Sequence, residues 1–300
     1  MKIIIAVPAN CAFLMGAAFP ILCVMLRFAA ILLALSTSFA KADRFVDVEL
    51  VIAVDVSYSV STGEGDVQRI GYADALESPE VIRAITGGLH GRAAITYVEW
   101  ADDLFQKQII PWRVISTPED ARGLAAELRA APIARSGATS ISSALLYSAL
   151  LFEKNPWHGL RRIIDISGDG PNNVGPVVDE ARDAVLASGI TINGLPLLVG
   201  TTTNPDEELL DLEAYFEDCV IGGPGAFMIA VTDWALFGDA ITRKLQLELS
   251  GLKQESIRFA AGRDRSDCLF GERLQRRKLK ESLDAIVPGG KNRWITDDDF

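Results

Sequence analysis

LVIAVDVSYS, residues 50–59, is an apolar run that stops at an aspartate and continues into alternating serines. Its first part, Leu50–Val54, is continuous and rich in β-branched side chains, which is typical of a strand buried on both faces of a parallel sheet. Asp55, Ser57 and Ser59 follow where that strand ends. Taken alone, the motif D-x-S-x-S is weak evidence for a functional site, because it should occur by chance in roughly one chain of this length in ten. Polar groups capping a strand-to-helix turn explain it as well.

Outward from this stretch, residues 46–250 alternate between short apolar runs and helical patterns. Further strands are predicted at 93–100, 105–111, 162–167, 190–198 and 226–231. Helices are predicted at 66–86 with a break near Ser78-Pro79, and at 118–129, 140–154, 175–188, 206–220 and 233–249. Short strands alternating with helices predict an α/β fold, an open, mostly parallel, doubly wound sheet with helices on both faces.

Two more segments place oxygen-bearing side chains near the end of the first strand. Thr139 lies in Ser136-Gly-Ala-Thr-Ser140 directly before a helix, and Asp169 follows the strand at 162–167. In an open parallel sheet, ligands bind beyond the carboxyl ends of the strands, so these loops can converge there with Asp55. Carboxylates and hydroxyls are hard oxygen donors, which favour Mg²⁺, Mn²⁺ or Ca²⁺ over zinc.

The order of these motifs resembles the metal-ion-dependent adhesion site of von Willebrand factor A-like domains. D-x-S-x-S follows the first strand, Gly-x-Thr precedes a helix, and Asp-Gly follows the fourth strand. The resemblance covers about residues 46–250, and the segment Cys219–Phe227 (CVIGGPGAF) resembles a bacterial subgroup with no assigned function. One departure is Ser167-Gly168-Asp169, where many members of the family have Thr-Asp-Gly.

The resemblance implies a role for each of the five residues. Ser57 and Ser59 would bind the ion directly through Oγ, and Thr139 directly or through water. Asp55 and Asp169 would anchor the coordinated waters. The implied function is a metal-dependent protein-binding module in which the ion engages an acidic group on an unidentified partner protein.

Two other classes remain open, a metal-assisted hydrolase or phosphoryl-transfer enzyme and a structural envelope protein with a vestigial metal site. We expect no enzyme, because a serine nucleophile needs a nearby base. His90 and His158 both precede strands, so they are predicted at the opposite end of the sheet. A phosphoryl-transfer enzyme could use Asp55 as nucleophile, but Ser57 stands where the haloacid dehalogenase pattern has a second aspartate.

Residues 1–42 are interpreted as a signal peptide or targeting segment. Met25-Leu-Arg opens a short basic region, Phe28–Leu35 is an apolar core, and Ala40-Lys41-Ala42 resembles a cleavage site. A periplasmic or secreted location follows. The alternative is a membrane anchor over roughly residues 11–35, with membrane contact only if that segment is retained. Translation could also begin at Met25.

The net charge of −11 is unevenly distributed, since residues 43–250 alone carry −16. A region this acidic repels nucleic acid and anionic membranes, which are therefore disfavoured as partners. No motif indicates a small-molecule cofactor. The domain is expected to end near residue 250, and the charged tail, 251–300, is expected to be mostly disordered, with 271–286 able to form a solvated helix. A disulfide between Cys219 and Cys268 is chemically permitted after export, but two separate cysteines fit equally well.

Overall fold

Strand β1 (Phe45–Asp55) lies at the centre of a five-stranded sheet, and every residue after Phe45 in it is buried. This agrees with the continuous apolar run from which the buried strand is predicted. The structure is a computed structural model and describes residues 44–199, 211–251 and 265–286.

The strand order is β3-β2-β1-β4-β5, with four parallel strands and an antiparallel β3 at one edge. The bounds are β2 (Ala93–Trp100), β3 (Gln106–Ile115), β4 (His158–Gly168) and β5 (Thr191–Pro196). β2 and β3 are antiparallel neighbours joined by a short loop. Asp55 pairs in register with Trp100, so the carboxyl ends of β1 and β2 are level at one edge of the sheet.

Helices cover both faces of the sheet, as predicted. They are α1 (Thr62–Glu77), α2 (Pro79–Thr86), α3 (Pro118–Ala130), α4 (Ile141–Phe152), α5 (Val178–Ala187), α6 (Leu212–Tyr215) and α7 (Phe237–Ser250). Apolar residues of α1, α2, α3 and α7 pack with β1 residues such as Leu50 in one core. Those of α4, α5 and α6 pack with Val51 and Ala53 in a second core on the opposite face.

Local signals account for several helix ends. Ser78 ends α1 and caps α2, and its hydroxyl accepts a hydrogen bond from the Val81 N–H. Thr117 begins α3 with a capping box to Asp120 and Pro118 in the first turn, so the chain enters the helix where the sequence predicts.

Two predicted elements differ in form. In place of the strand expected at 226–231 there are only isolated bridges, from Met228 to Gly194 of β5 and from Val231 to Leu197 just after β5, so this segment lies along the sheet edge without extending the ladder. The expected helix at 206–220 comprises α6 and a π-helical turn, Phe216–Val220, and residues 206–210 lie outside the described part of the chain.

The tail differs more from its expectation. Residues 265–286 are described, and they include helix α8 (Phe270–Ile286) with a buried Leu274. Cys268, just before α8, forms a disulfide with Cys219. Sequence alone did not predict the docking of this segment, because its charged composition resembles that of a solvated tail.

Within the described ranges, no helix has both the length and the hydropathy needed to cross a bilayer. The targeting segment predicted at residues 1–42 lies outside those ranges.

Candidate metal centre

Asp55 is the last residue of β1, and its side chain accepts a hydrogen bond that stabilises the turn after the strand. The Ser57 N–H donates to Asp55 Oδ1 at 2.7 Å, and the Val56 N–H donates to the Trp100 carbonyl at 2.9 Å. An aspartate that accepts from the backbone two residues later forms an Asx turn. This local bond places the hydroxyls of Ser57 and Ser59 beyond the strand end.

The two serines and the two aspartates form one hydrogen-bonded group. Ser57 Oγ and Ser59 Oγ are 2.9 Å apart, and the Ser59 hydroxyl donates to Asp169 Oδ1 at 2.8 Å. Asp169 directly follows β4, the neighbour of β1. Four of the five predicted residues are thus linked by hydrogen bonds, although Asp169 is 110 positions from Ser59 in the chain.

The fifth residue, Thr139, reaches the same edge through its loop. Its N–H donates to Asn173 Oδ1 at 3.0 Å, and its carbonyl accepts from the Asn173 N–H at 2.9 Å. Ser140, its neighbour, donates its N–H to the Ala101 carbonyl beyond β2 at 2.7 Å. Ser136, at the start of this loop, bridges to Ser57. The Thr139 loop therefore joins the ends of β1 and β2 to the loop that follows β4.

At this edge of the sheet, the electrostatic environment disfavours two ionised carboxylates that have no counter-charge. Asp55 is fully buried, and its Oδ2 has no hydrogen-bond partner in the described part of the chain. Burial and, second, the charge of Asp169 raise the pKa of Asp55 well above its ordinary value, and the hydrogen bonds from Ser57 and from the Asp169 backbone only partly oppose this. An added cation would counter both effects.

The donors fit a hard divalent cation. Across the described ranges, no three His, Cys, Asp or Glu side chains group in a way that could hold a metal ion, so the centre would depend on hydroxyl oxygens beside its two carboxylates. Mg²⁺ commonly combines one or two carboxylates with several waters, and the set Asp55, Ser57, Ser59, Thr139 and Asp169 is of that kind.

Gly168, the departure from the usual family pattern, lies against the unpaired carboxylate oxygen. A methyl group at this position would be 3.5 Å from Asp55 Oδ2 and 3.6 Å from the rings of Trp100 and Phe216. The glycine therefore leaves space beside the oxygen, and it does not keep Asp169 from bonding Ser59.

Several residues of the site were not assigned by sequence reasoning. Asp102 accepts a hydrogen bond from the Ser136 hydroxyl, which lowers the pKa of Asp102. Arg135 donates to the Tyr58 carbonyl at 2.9 Å and lies 5.5 Å from the centre of the Tyr58 ring. Asn172 and Asn173 accept hydrogen bonds from the N–H groups of Ser142 and Thr139, respectively. The clearest signal for these residues was their position in the chain, because all of them lie in loops next to the motifs that contain the predicted ligands.

Both histidines lie at the other end of the sheet. The rings of His90 and His158 are 5.9 Å and 5.7 Å from that of Phe45, the first residue of β1. A strand of this length separates them from Ser57 by about 30 Å. Neither histidine can act as a base for the serines of the site.

The strand order, the covering helices and the position of this cluster define a von Willebrand factor A fold. Residues 45–253 match the family described as "Protein of unknown function (DUF1194)", and the chain belongs to that family. No curated protein sequence matches the chain.

Solved structures with a similar fold include an adhesin and a matrix protein. The pilus adhesin SpaC from Lactobacillus rhamnosus GG has a TM-score of 0.52 at 9% identity, over 69% of this chain and 31% of the adhesin. Proximal thread matrix protein 1 from the mussel byssus has a TM-score of 0.50 at 14% identity, over 68% of this chain and 48% of its own. A von Willebrand factor type A protein from Catenulispora acidiphila has a TM-score of 0.46 at 12% identity, over 68% and 43%. The chain thus spans less than half of each, and at these identities the likeness concerns the fold.

Proposed function

We propose that this protein is an exported protein-binding module that uses a divalent cation, Mg²⁺ or alternatively Mn²⁺ or Ca²⁺, to engage an acidic group on a partner protein. The observation that carries the proposal is the hydrogen-bonded group of Asp55, Ser57, Ser59 and Asp169, in which the buried Asp55 Oδ2 has no hydrogen-bond partner among the described residues and is subject to the charge of a second carboxylate. Thr139 completes the proposed ligand set. A cation bound there would offer a coordination position to a carboxylate oxygen of the partner.

The surface around the site is suited to contact with protein. Tyr58, between the two serines, is 64% exposed, and Leu104, in the loop after β2, is 90% exposed. Leu104 is tied to the site because its N–H donates to Asp102, the residue that accepts from Ser136. Arg135 adds positive charge beside the Tyr58 ring. These side chains favour a partner segment with one carboxylate flanked by apolar residues.

Export is supported by two features of the chain. The Cys219–Cys268 disulfide is typical of an oxidising compartment, and the sequence before Asp43 has the layout of a signal peptide. Amino-terminal sequencing of protein from the cell envelope should give a start near Asp43. Recovery of residues 25–40 in the mature chain would instead indicate an anchor.

Affinity capture from envelope extract, in Mg²⁺ and in excess chelator, tests the binding function. A partner should be retained in Mg²⁺, released by chelator, and lost with Thr139→Ala. Thr86→Ala is the matched control, because that exposed hydroxyl donates to the Ile82 carbonyl of its own helix. A partner that binds equally in chelator would show that the cation does not mediate the contact.

A further inference from the structure

Residues 265–286, which include α8, lie beyond the stretch that matches the family and are attached to that stretch at several points. The disulfide joins Cys268 to Cys219 across a separation of 49 positions. The Ser266 N–H donates to Asp218 Oδ2 at 2.7 Å, and Leu274 is buried. The family match ends at residue 253, so these contacts belong to a part of the chain to which no role is assigned.

The first turn of α8 contacts the loop that carries Asp169. The Asn172 amide donates to Glu272 Oε1 at 2.7 Å. Gly271 lies so close to Asn172 that a methyl group there would be 2.8 Å from the Asn172 carbonyl carbon and nearer still to its oxygen. The approach of this helix to the loop therefore requires glycine at position 271.

Asn172 in turn organises the loop from inside. It is fully buried, and its Oδ1 accepts from the Ser142 N–H at 3.0 Å in the first turn of α4. Its amide also reaches the carbonyls of Val174 and Pro176, each at 3.2 Å. One side chain therefore joins the Asp169 loop, the helix after Thr139 and the tail helix.

The contacts next to Asn172 extend this link to the proposed ligands. The Thr139 N–H donates to Asn173 Oδ1, and the Asn173 N–H donates to the Thr139 carbonyl. Asp169 lies three residues before Asn172. A change at Glu272 can thus reach Thr139 through Asn172 and Asn173, and Asp169 through the loop that precedes Asn172. Groups that hold metal ligands in place in this way are usually needed for full affinity.

We infer that the disulfide-anchored helix α8 braces the Asp169 loop, with Glu272 and Gly271 as positioning residues, and thereby sets the divalent-cation affinity of the site. This inference rests on the proposed function, because it assumes that the site binds a cation. Loss of the Cys219–Cys268 disulfide releases the segment, loosens the loop and weakens cation binding.

Two measurements on the full chain test this inference. Hydrogen exchange of the amides at 169–175, followed by mass spectrometry without metal, reports on the brace itself. Calorimetric titration with Mg²⁺ alone, repeated with Mn²⁺, reports on affinity. The variants are Cys219→Ser/Cys268→Ser, Gly271→Ala and Glu272→Ala, with Glu272→Gln as the conservative rescue because its carbonyl oxygen can still accept from Asn172. Glu281→Ala, at an exposed position of the same helix, is the control.

The three disruptive variants should exchange faster at 169–175 and bind the cation about tenfold more weakly, whereas Glu272→Gln and Glu281→Ala should resemble wild type. Unchanged exchange in the double serine variant would overturn the brace, whatever the metal result. Faster exchange with unchanged affinity would overturn its effect on the site. If the wild type itself binds no cation, the proposed function and the affinity claim fail, and the exchange data decide the brace separately.

Discussion

A pair of carboxylates comes together at two places in the molecule. The negative charge of the pair is balanced differently at each place. Under α7, Asp165 and Glu248 flank Lys244, whose Nζ lies 2.5 Å from an oxygen of each, and all three are fully buried. At the strand ends, burial and, second, the charge of Asp169 raise the pKa of Asp55, and the groups that oppose this are hydrogen-bond donors without a basic side chain among them.

The difference shows where an external cation is needed. In the closed core, the chain supplies its own cation, because a buried carboxylate pair without one would cost several kcal/mol. At the sheet edge, the Ser57 N–H donates to Asp55 and the Ser59 hydroxyl donates to Asp169, and neither of these donors carries a charge that would neutralise a carboxylate. The comparison therefore favours a divalent cation at the edge.

The largest effect should come from removing the internal cation. Lys244→Met leaves Asp165 and Glu248 buried without a counter-charge and should lower the free energy of unfolding by about 3–5 kcal/mol, measured by urea denaturation. Lys107→Met, at an exposed position, is the control. Adding Asp165→Asn and Glu248→Gln to Lys244→Met should restore part of the loss. A loss below about 1 kcal/mol would mean that Lys244 does not balance the pair.

A smaller effect is expected from pH. Burial, together with the charge of Asp165, raises the pKa of Glu248 from 4.5 to about 7 in the folded chain. Because the folded pKa is the higher one, the stabilising contribution is complete below pH 4.5 and is lost as the pH rises through 7. The wild type should lose about 2–3 kcal/mol more than Glu248→Gln between pH 4.5 and 8, by urea unfolding. Parallel pH profiles for the two proteins would contradict the assignment.

The smallest effect on stability should come from Ser59→Ala. The hydroxyl is exposed, so without metal the free energy of unfolding should change by less than about 0.5 kcal/mol. Loss of a direct ligand should nevertheless weaken Mg²⁺ binding at least about tenfold, measured by calorimetry. Ser188→Ala, another exposed serine, should change neither quantity. Full Mg²⁺ affinity in Ser59→Ala would remove Ser59 from the ligand set.

Local patterns predicted most of the fold and the candidate site. The apolar run at 50–54 predicted a central strand, Ser78-Pro79 predicted a helix break, and the polar residues at strand ends predicted which loops meet. These features depend on neighbours in sequence or on the general rule that parallel strands end at one edge.

Contacts between distant residues could not be predicted in this way. Lys244 fits a helix, but lysine is rarely fully buried, and its partner Asp165 is 79 positions away. The contact of Glu272 with Asn172 joins residues 100 positions apart in a stretch whose composition favours disorder. Only the packed structure shows that the tail reaches the site.

The most direct test of the central claim is thermal unfolding with and without Mg²⁺, for the wild type and Asp55→Asn. Asparagine can still accept from the Ser57 N–H, so the variant keeps the Asx turn but loses the carboxylate. At a hundredfold excess over the dissociation constant, the ion should stabilise the wild type by about 2.7 kcal/mol. We predict a clear rise in Tm for the wild type and for His158→Ala, and little or none for Asp55→Asn. An equal rise in Asp55→Asn and the wild type would contradict the account.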